Sequence, residues 1–232
     1  NNMSHEKKTH QEENLQAIEG ALTKSEQFIE KYQKLLIYGF SAIVVIIGLF
    51  FGYKKLIAEP REEKALAQMA SAQNYFEQGN YKAALEGNAT GAGFAKIADE
   101  YSSTAAGNIA NFYAGICELN LGQFQKALDY LNSYSSDNMI FAPLAEGAKG
   151  DAYVELKQLD KAASAYMKAA TLSDNNFTAP QFLFKAAAVY EEQGNWKDAL
   201  SNYENVKENY PQSVEATDVD KYITRAKLNI NK

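Results

Sequence analysis

Sulfur and imidazole are scarce in this sequence. There is one cysteine, Cys117, so no internal disulfide can form, and the fold must be held by packing. A single thiol is compatible with either a reducing or an oxidising compartment. The two histidines, His5 and His10, both lie in a polar N-terminal stretch. No imidazole remains in the rest of the chain for acid–base catalysis or for a zinc site, and metal binding by the N-terminal pair alone is the weaker reading of it. Prolines number four, and valine- and isoleucine-rich runs are confined to one short stretch, which argues for helices over sheet. Positive charge is also in deficit. The net charge is −6, and beyond residue 55 there are 16 Lys+Arg against 23 Asp+Glu, a balance of −7. An acidic domain repels a phosphate backbone, which sets nucleic acid aside as a partner.

The 232 residues, 46% of them apolar, suffice for one large domain or two small ones with a packed core. One uncharged run stands out: Leu35–Tyr53, LLIYGFSAIVVIIGLFFGY. As a helix it is about 28 Å long, which matches the hydrocarbon thickness of a bilayer. Lys31 and Lys34 precede it and Lys54 and Lys55 follow it, with Tyr38 and Tyr53 near its ends, where ammonium groups and phenol rings favour the interface. The run is too long and too far from the N-terminus for a cleaved signal peptide, and it is expected to be an uncleaved single-pass anchor. Charge does not orient it, because Lys24, Lys31 and Lys34 on one side face Lys54, Lys55, Arg61 and Lys64 on the other. Within it Gly48 and Gly52 have the small-xxx-small spacing that lets two membrane helices approach. Ahead of it, Leu15, Ile18, Leu22, Ile29, Tyr32 and Leu36 recur in three- and four-residue steps, broken at Ser25. That stripe suits an amphipathic helix docking a partner or lying on the membrane, and equally a loosely ordered tail. The expected organisation is a polar tail over 1–34, a transmembrane helix over 35–53, a linker over 54–64 and a helical domain over 65–232.

That last domain is repetitive. A small residue is followed three positions on by an aromatic, four further by glycine, two further by an aromatic and three further by alanine. The first copy reads Ala72, Tyr75, Gly79, Tyr81, Ala84; the second Gly115, Gly122, Phe124, Ala127; the third Gly150, Tyr153, Leu159, Ala162; the fourth Ala187, Tyr190, Gly194, Trp196, Ala199. A later large residue recurs as Phe94, Leu131, Tyr166 and Tyr203, and Pro211 closes the fourth copy. Two departures stand out, Glu118 for an aromatic and Lys157 for a glycine. Intervals of 43, 35 and 37 residues between the later alanines assign an insertion, GNATGAG over 87–93, to the first copy. With no strand before it and no Gly-Lys-Ser/Thr after it, this is a connection and not a phosphate loop. These residues resemble the tetratricopeptide repeat, a helix, a tight turn and a second helix in about 34 residues. Small residues let paired helices approach, glycine turns the chain and aromatics fill the space between hairpins. The fold expected is an all-α tetratricopeptide-repeat superhelix of about four hairpins. Val219, Tyr222, Ile223 and Ala226 mark a helix capping its open end, and one transmembrane helix precedes the array.

The layout of tail, anchor and repeats is also similar to the ancillary SecYEG translocon subunit family, and FFGYKK, YFEQGNYKAALEG and NFYAGICELNLGQFQKALDYL are similar to its Bacteroidota version. That resemblance implies a protein of the bacterial inner membrane with a cytoplasmic tail and periplasmic repeats. Its implied partners are the SecYEG translocon and a membrane-anchored peptidyl-prolyl isomerase-like chaperone. An envelope-assembly scaffold or a homo-oligomeric adaptor would use the same repeats.

No catalytic constellation, metal set or cofactor motif is present: the serines lack a nucleophile-elbow context, and Cys117 is expected to be a packed thiol. Neighbouring carboxylates such as Glu191 with Glu192, or Asp99 with Glu100, point to different helix azimuths and read as solvated faces. The informative surface is the one that the first helix of each repeat lines in this family. Carried over by position, it holds Leu66, Met69 and Phe76 in repeat one; Ile109, Phe112, Ile116 and Leu119 in repeat two; Leu144 and Val154 in repeat three; and Phe184 in repeat four. This is an apolar groove suited to an apolar helix or extended chain. A carboxylate clamp is contradicted, because its positions hold Met69, Gln73, Tyr113, Leu144 and Ala148. Phe112, Ile116 and Leu119 are expected to form one apolar strip of that groove.

Overall fold

The computed structural model describes the backbone of residues 3–89, 91–172 and 175–230, and side chains from Phe28 onward. The chain divides into two compact units, Asn1–Glu59 and Pro60–Lys232. The first is the helix α1 (Met3–Tyr53) with a π-helical turn, Lys54–Ala58. Every side chain from Phe28 to Phe51 is exposed, and α1 is long and apolar enough to cross a membrane. A Cβ added at Gly48 or Gly52 would meet nothing within 4 Å. Leu15, Ile18 and Leu22 of the proposed amphipathic stripe, and His5 and His10, lie outside the described side chains. The stretch 54–64, expected as a linker, carries helical backbone: the π-helical turn is followed by α2 (Glu59–Glu77). Pro60 has no N–H to donate to the π-helical turn before it, so the helical ladder is interrupted at that point.

The second unit is an array of antiparallel helical hairpins. Hairpin one pairs α2 with a second arm in two pieces, α3 (Tyr81–Glu86) and α4 (Phe94–Glu100). The others are α5 (Ala105–Asn120) with α6 (Phe124–Ser133), α7 (Phe141–Glu155) with α8 (Leu159–Leu172), and α9 (Thr178–Glu192) with α10 (Trp196–Asn209). A 3-10 turn, Glu215–Asp218, leads into the capping helix α11 (Val219–Ile230). The insertion in repeat one folds as an antiparallel ribbon, β1 (Gly87–Asn88) and β2 (Gly91–Ala92), pairing Gly87 with Ala92 and Asn88 with Gly91. Its ends are so close that a Cβ on Gly93 would overlap the backbone of Leu85 and Gly87. The ribbon lets the chain accept extra residues without losing the repeat, because Phe94, the recurring aromatic, is still fully buried.

The same turn closes all four hairpins. In the first, the Gly79 amide donates to the Phe76 carbonyl and the Asn80 amide to the Tyr75 carbonyl; the pattern recurs at Gly122 and Gln123, at Lys157 and Gln158, and at Gly194 and Asn195. This double bond caps the orphan carbonyls of a helix C-terminus and requires a left-handed residue at the turn. Gly79, Gly122 and Gly194 supply it with φ of 71°, 73° and 73°, and Lys157 is held at φ 59° in the third. The departure seen in the sequence therefore leaves the turn intact and strains the backbone at one residue. A left-handed non-glycine residue costs about 1–2 kcal/mol, partly offset because glycine loses more entropy on folding. Lys157→Gly is expected to stabilise the domain by roughly 0.5–1 kcal/mol, raising the melting temperature by about 2–4 °C per kcal/mol for a domain of this size. A lower melt for this variant would show that Lys157 makes a contact worth more than its strain.

Packing follows the repeat. Ala84, Ala127, Ala162 and Ala199 on the second arms are fully buried, as are Ala72 and Ala187 on the first arms, within the limit of 1% exposure. Where glycine takes that first-arm place, the partner is the recurring large residue of the same hairpin: a Cβ on Gly115 would lie 2.6 Å from Leu131 Cγ, and one on Gly150 would fall against the ring of Tyr166. Small faces large across each pair, so the hairpins close to a short interaxial distance. At the C-terminal end Val219, Ile223 and Ala226 are buried, and Tyr222 packs against Phe184 and Tyr203. Arg225 pairs with Glu191 and Lys207 with Asp220, tying α11 to the fourth hairpin.

Candidate protein-interaction surface

The first arms α2, α5, α7 and α9 carry the ten residues assigned to the apolar groove. The structure gathers half of them. Ile109, Ile116, Leu119 and Leu144 pack, each partly exposed, around a cluster that contains Phe112, with Phe141 joining from the first turn of α7. Ile109, Phe112, Ile116 and Leu119 come together because they recur at three- and four-residue steps along α5, and Leu144 arrives from the next first arm.

Two of the ten are core residues and do not line an open surface. Phe112 is 6% exposed, enclosed by Tyr113, Tyr134 and Phe141 with ring centroids 5.5, 5.5 and 5.3 Å away. Met69 is 3% exposed and belongs to the core of hairpin one. Each faces its neighbours because adjacent hairpins converge on that azimuth of the helix, which a single-helix pattern does not encode. Phe76 is half-buried among Tyr81, Phe94 and Tyr113. Val154 and Phe184 pack on the C-terminal cluster, Phe184 edge-on to Tyr203 and Tyr222 at 5.0 and 4.7 Å. Leu66 stands open on α2.

The open strip is thus shorter than the expected groove. It consists of Ile109, Ile116 and Leu119 on α5 and Leu144 on α7, with Phe141 beside it. Its base is rigid, because Tyr113 stacks on Phe94 and links hairpin one to Phe112 through successive ring contacts.

A second set of exposed apolar residues lies outside the repeat motif. Ile140, Phe177 and Val214, spaced 37 residues apart, are 61%, 86% and 86% exposed in the connections between hairpins. All three occupy the helix-initiating position of a following element, and the first two are held there by Asn138 and Asn175, whose side chains accept from the amides of Ile140 and Phe177. The signal available was the repeat interval itself; these positions lie outside the motif that defines the repeat.

Cys117 is fully buried, and burial followed by the charge of Glu118 pushes its thiol up to about 12, so thiolate is scarce at neutral pH. Among the described residues no group of three His, Cys, Asp or Glu side chains is placed to hold a metal ion. Tyr166, pushed up by burial and by its hydrogen bond to Asp151, is a packed hydroxyl donating at 2.5 Å while Lys185 reaches the same carboxylate at 2.7 Å. Polar groups of this kind orient the hairpins.

No curated protein matches the chain. The model of a tetratricopeptide repeat-like domain matches residues 61–185, and that of a tetratricopeptide repeat matches residues 181–213. The first match begins where the second compact unit begins and runs through α2 to α9, the hairpins in which small residues face large ones across each pair. Spanning more than half of the 232 residues, it agrees with the repeat-by-repeat geometry: this chain belongs to the tetratricopeptide repeat-like domain family.

Proposed function

We propose that the protein is a membrane-anchored scaffold that binds other proteins at the Sec translocon, where it assists a periplasmic chaperone or emerging polypeptides. The observation that carries the binding role is the partly exposed strip of Ile109, Ile116, Leu119 and Leu144 on a rigid aromatic base. Apolar side chains left open on a preformed surface gain most when an apolar segment removes them from water, at about 25 cal/mol per Å². Anchoring rests on α1, whose exposed apolar length suits a bilayer. In this reading Gly48 and Gly52 offer the face on which a second membrane helix packs. The translocon assignment, the periplasmic placement of the repeats and the isomerase-like chaperone partner rest on the resemblance of tail, anchor and repeats to the ancillary translocon subunits. An envelope-assembly scaffold uses the same surface with other partners.

Purification of the full chain from mild detergent, with mass spectrometry of what accompanies it, tests both parts. Translocon subunits and the chaperone are expected with the unaltered chain. Ile116→Asp should reduce their recovery about tenfold or more, because a charge placed in an apolar contact leaves it desolvated and unpaired. The helical spectrum should not change, since one side of Ile116 is open. Envelope proteins without translocon subunits would select the alternative reading, and full recovery by a folded Ile116→Asp variant would dismiss the strip.

A further inference from the structure

The four repeats can be compared with one another. Three residues after the small first-arm position stand Tyr75, Tyr153 and Tyr190 in repeats one, three and four, and Glu118 in repeat two. Glu118 is 6% exposed, and its opposing charge is that of Lys126. It opens onto a cleft of about 760 Å³ between α4, α5 and α6, bounded by Asp99, Asn111, Lys126, Asp129 and Tyr130. Three carboxylates therefore face one ammonium there. Burial raises the Glu118 carboxyl, Lys126 opposes that and Glu86 adds to it, while Tyr130 is raised by burial, then by Glu118, then by Asp99.

Burial of the Glu118 side chain disfavours its charged form, Lys126 supplies the one countercharge in the cleft lining, and a further cation of the right shape relieves the remaining excess of carboxylates. The described residues place no set of three metal-ligating groups, which disfavours a metal ion as that cation. In repeats three and four the corresponding clefts, about 400 and 340 Å³, are smaller and include the planar rings of Tyr153 and Tyr190 in their linings. A guanidinium is also planar, keeps its charge at every physiological pH, is weakly hydrated, presents donors to two carboxylates at once and stacks on a phenol face such as that of Tyr130. An ammonium is compact and strongly hydrated and meets fewer of these conditions.

We infer that the cleft between α4, α5 and α6 is a docking site for an arginine side chain of a partner polypeptide, with Glu118 at its floor and Asp99, Asp129 and Tyr130 around it. The inference rests on the protein-binding reading of the repeats but not on the apolar strip, which is built from other side chains of α5 and from α7. Arginine here supplies charge-based selection, which the strip lacks.

The test uses the full chain in detergent micelles and the blocked peptide Gly-Arg-Gly, with Gly-citrulline-Gly and Gly-Lys-Gly beside it, followed by NMR of the Asn111 side-chain amide and the Tyr130 ring. The arginine peptide is expected to give saturable shifts, the citrulline peptide none, and the lysine peptide an affinity several-fold weaker. Glu118→Gln should weaken the arginine peptide about tenfold or more, and Ile116→Asp should leave it unchanged. Glu118→Tyr, which gives repeat two the residue of its neighbours, should fold and abolish binding by removing the carboxylate and narrowing the cleft. Binding of free arginine amide but not of the peptide would overturn the polypeptide assignment. Equal binding of citrulline or lysine, no saturable shift with a folded chain, or full affinity in folded Glu118→Tyr would each overturn the site. Because these readouts do not involve the translocon or the strip, they fail or succeed independently of the proposed function.

Discussion

Phe112→Ser is expected to lower the melting temperature of the full chain in detergent on the order of 10 °C. Truncating a buried phenylalanine costs about 3–5 kcal/mol, from lost transfer energy and the cavity left behind. Each kcal/mol is worth about 2–4 °C in a domain of this size. Phe112 meets the conditions for the upper part of that range: it is nearly inaccessible, three aromatic rings surround it, and a serine hydroxyl would have no water to bond. This reverses the order implied by its place in an apolar strip, where truncation would weaken binding and spare the fold. Partner recovery should decline with Phe112→Ser only as the folded fraction declines, whereas Ile116→Asp should separate the two. The measurement is thermal unfolding followed by circular dichroism; a melt within 1–2 °C of the unaltered chain, against the roughly 10 °C expected, would place Phe112 on the surface after all.

The second expected result concerns the sign of a substitution. Gly150 lies inside α7, and on helix propensity alone Gly150→Ala stabilises by about 1 kcal/mol. Packing opposes this. The added methyl would overlap the ring of Tyr166, which cannot swing aside: its hydroxyl is bonded to Asp151, and its face stacks near Phe182, 6.3 Å between centroids at 14°. Overpacking a closed site typically costs about 1–3 kcal/mol, and here the obstacle is a rigid ring instead of a flexible chain end. The net expectation is a loss of roughly 1–2 kcal/mol and a melt lower by several degrees. Gly150→Ala with the melt raised would mean that α7 and α8 separate without penalty, which would undo the pairing of small with large on which the hairpin description rests.

The repeat motif was legible because its chemistry is local. A glycine that must turn left, alanines that must be small and large residues that must fill the space beside them recur at fixed offsets along one chain, and Ala84, Ala127, Ala162 and Ala199 are all fully buried. Glu118 and Lys157 were visible as departures, but their consequences were not. Lys157 keeps the glycine conformation because the two hydrogen bonds of the turn hold it there. Glu118 lines a cleft of about 760 Å³, wider than those that Tyr153 and Tyr190 line in repeats three and four, about 400 and 340 Å³.

Sequence by itself determined the helical class, the spacing of the hairpins and the one helix apolar enough for a bilayer, since each depends on turn chemistry, periodicity or hydropathy within a few tens of residues. Only the tertiary structure decided which apolar residues of the first arms are open. Met69 and Phe112 turn inward, Leu66 stands free, and Ile109, Ile116, Leu119 and Leu144 share one strip. A helix pattern defines an azimuth, but whether that azimuth meets solvent or other side chains is set by residues that arrive from other elements, such as Tyr134 at the end of α6 and Phe141 from the next hairpin against Phe112.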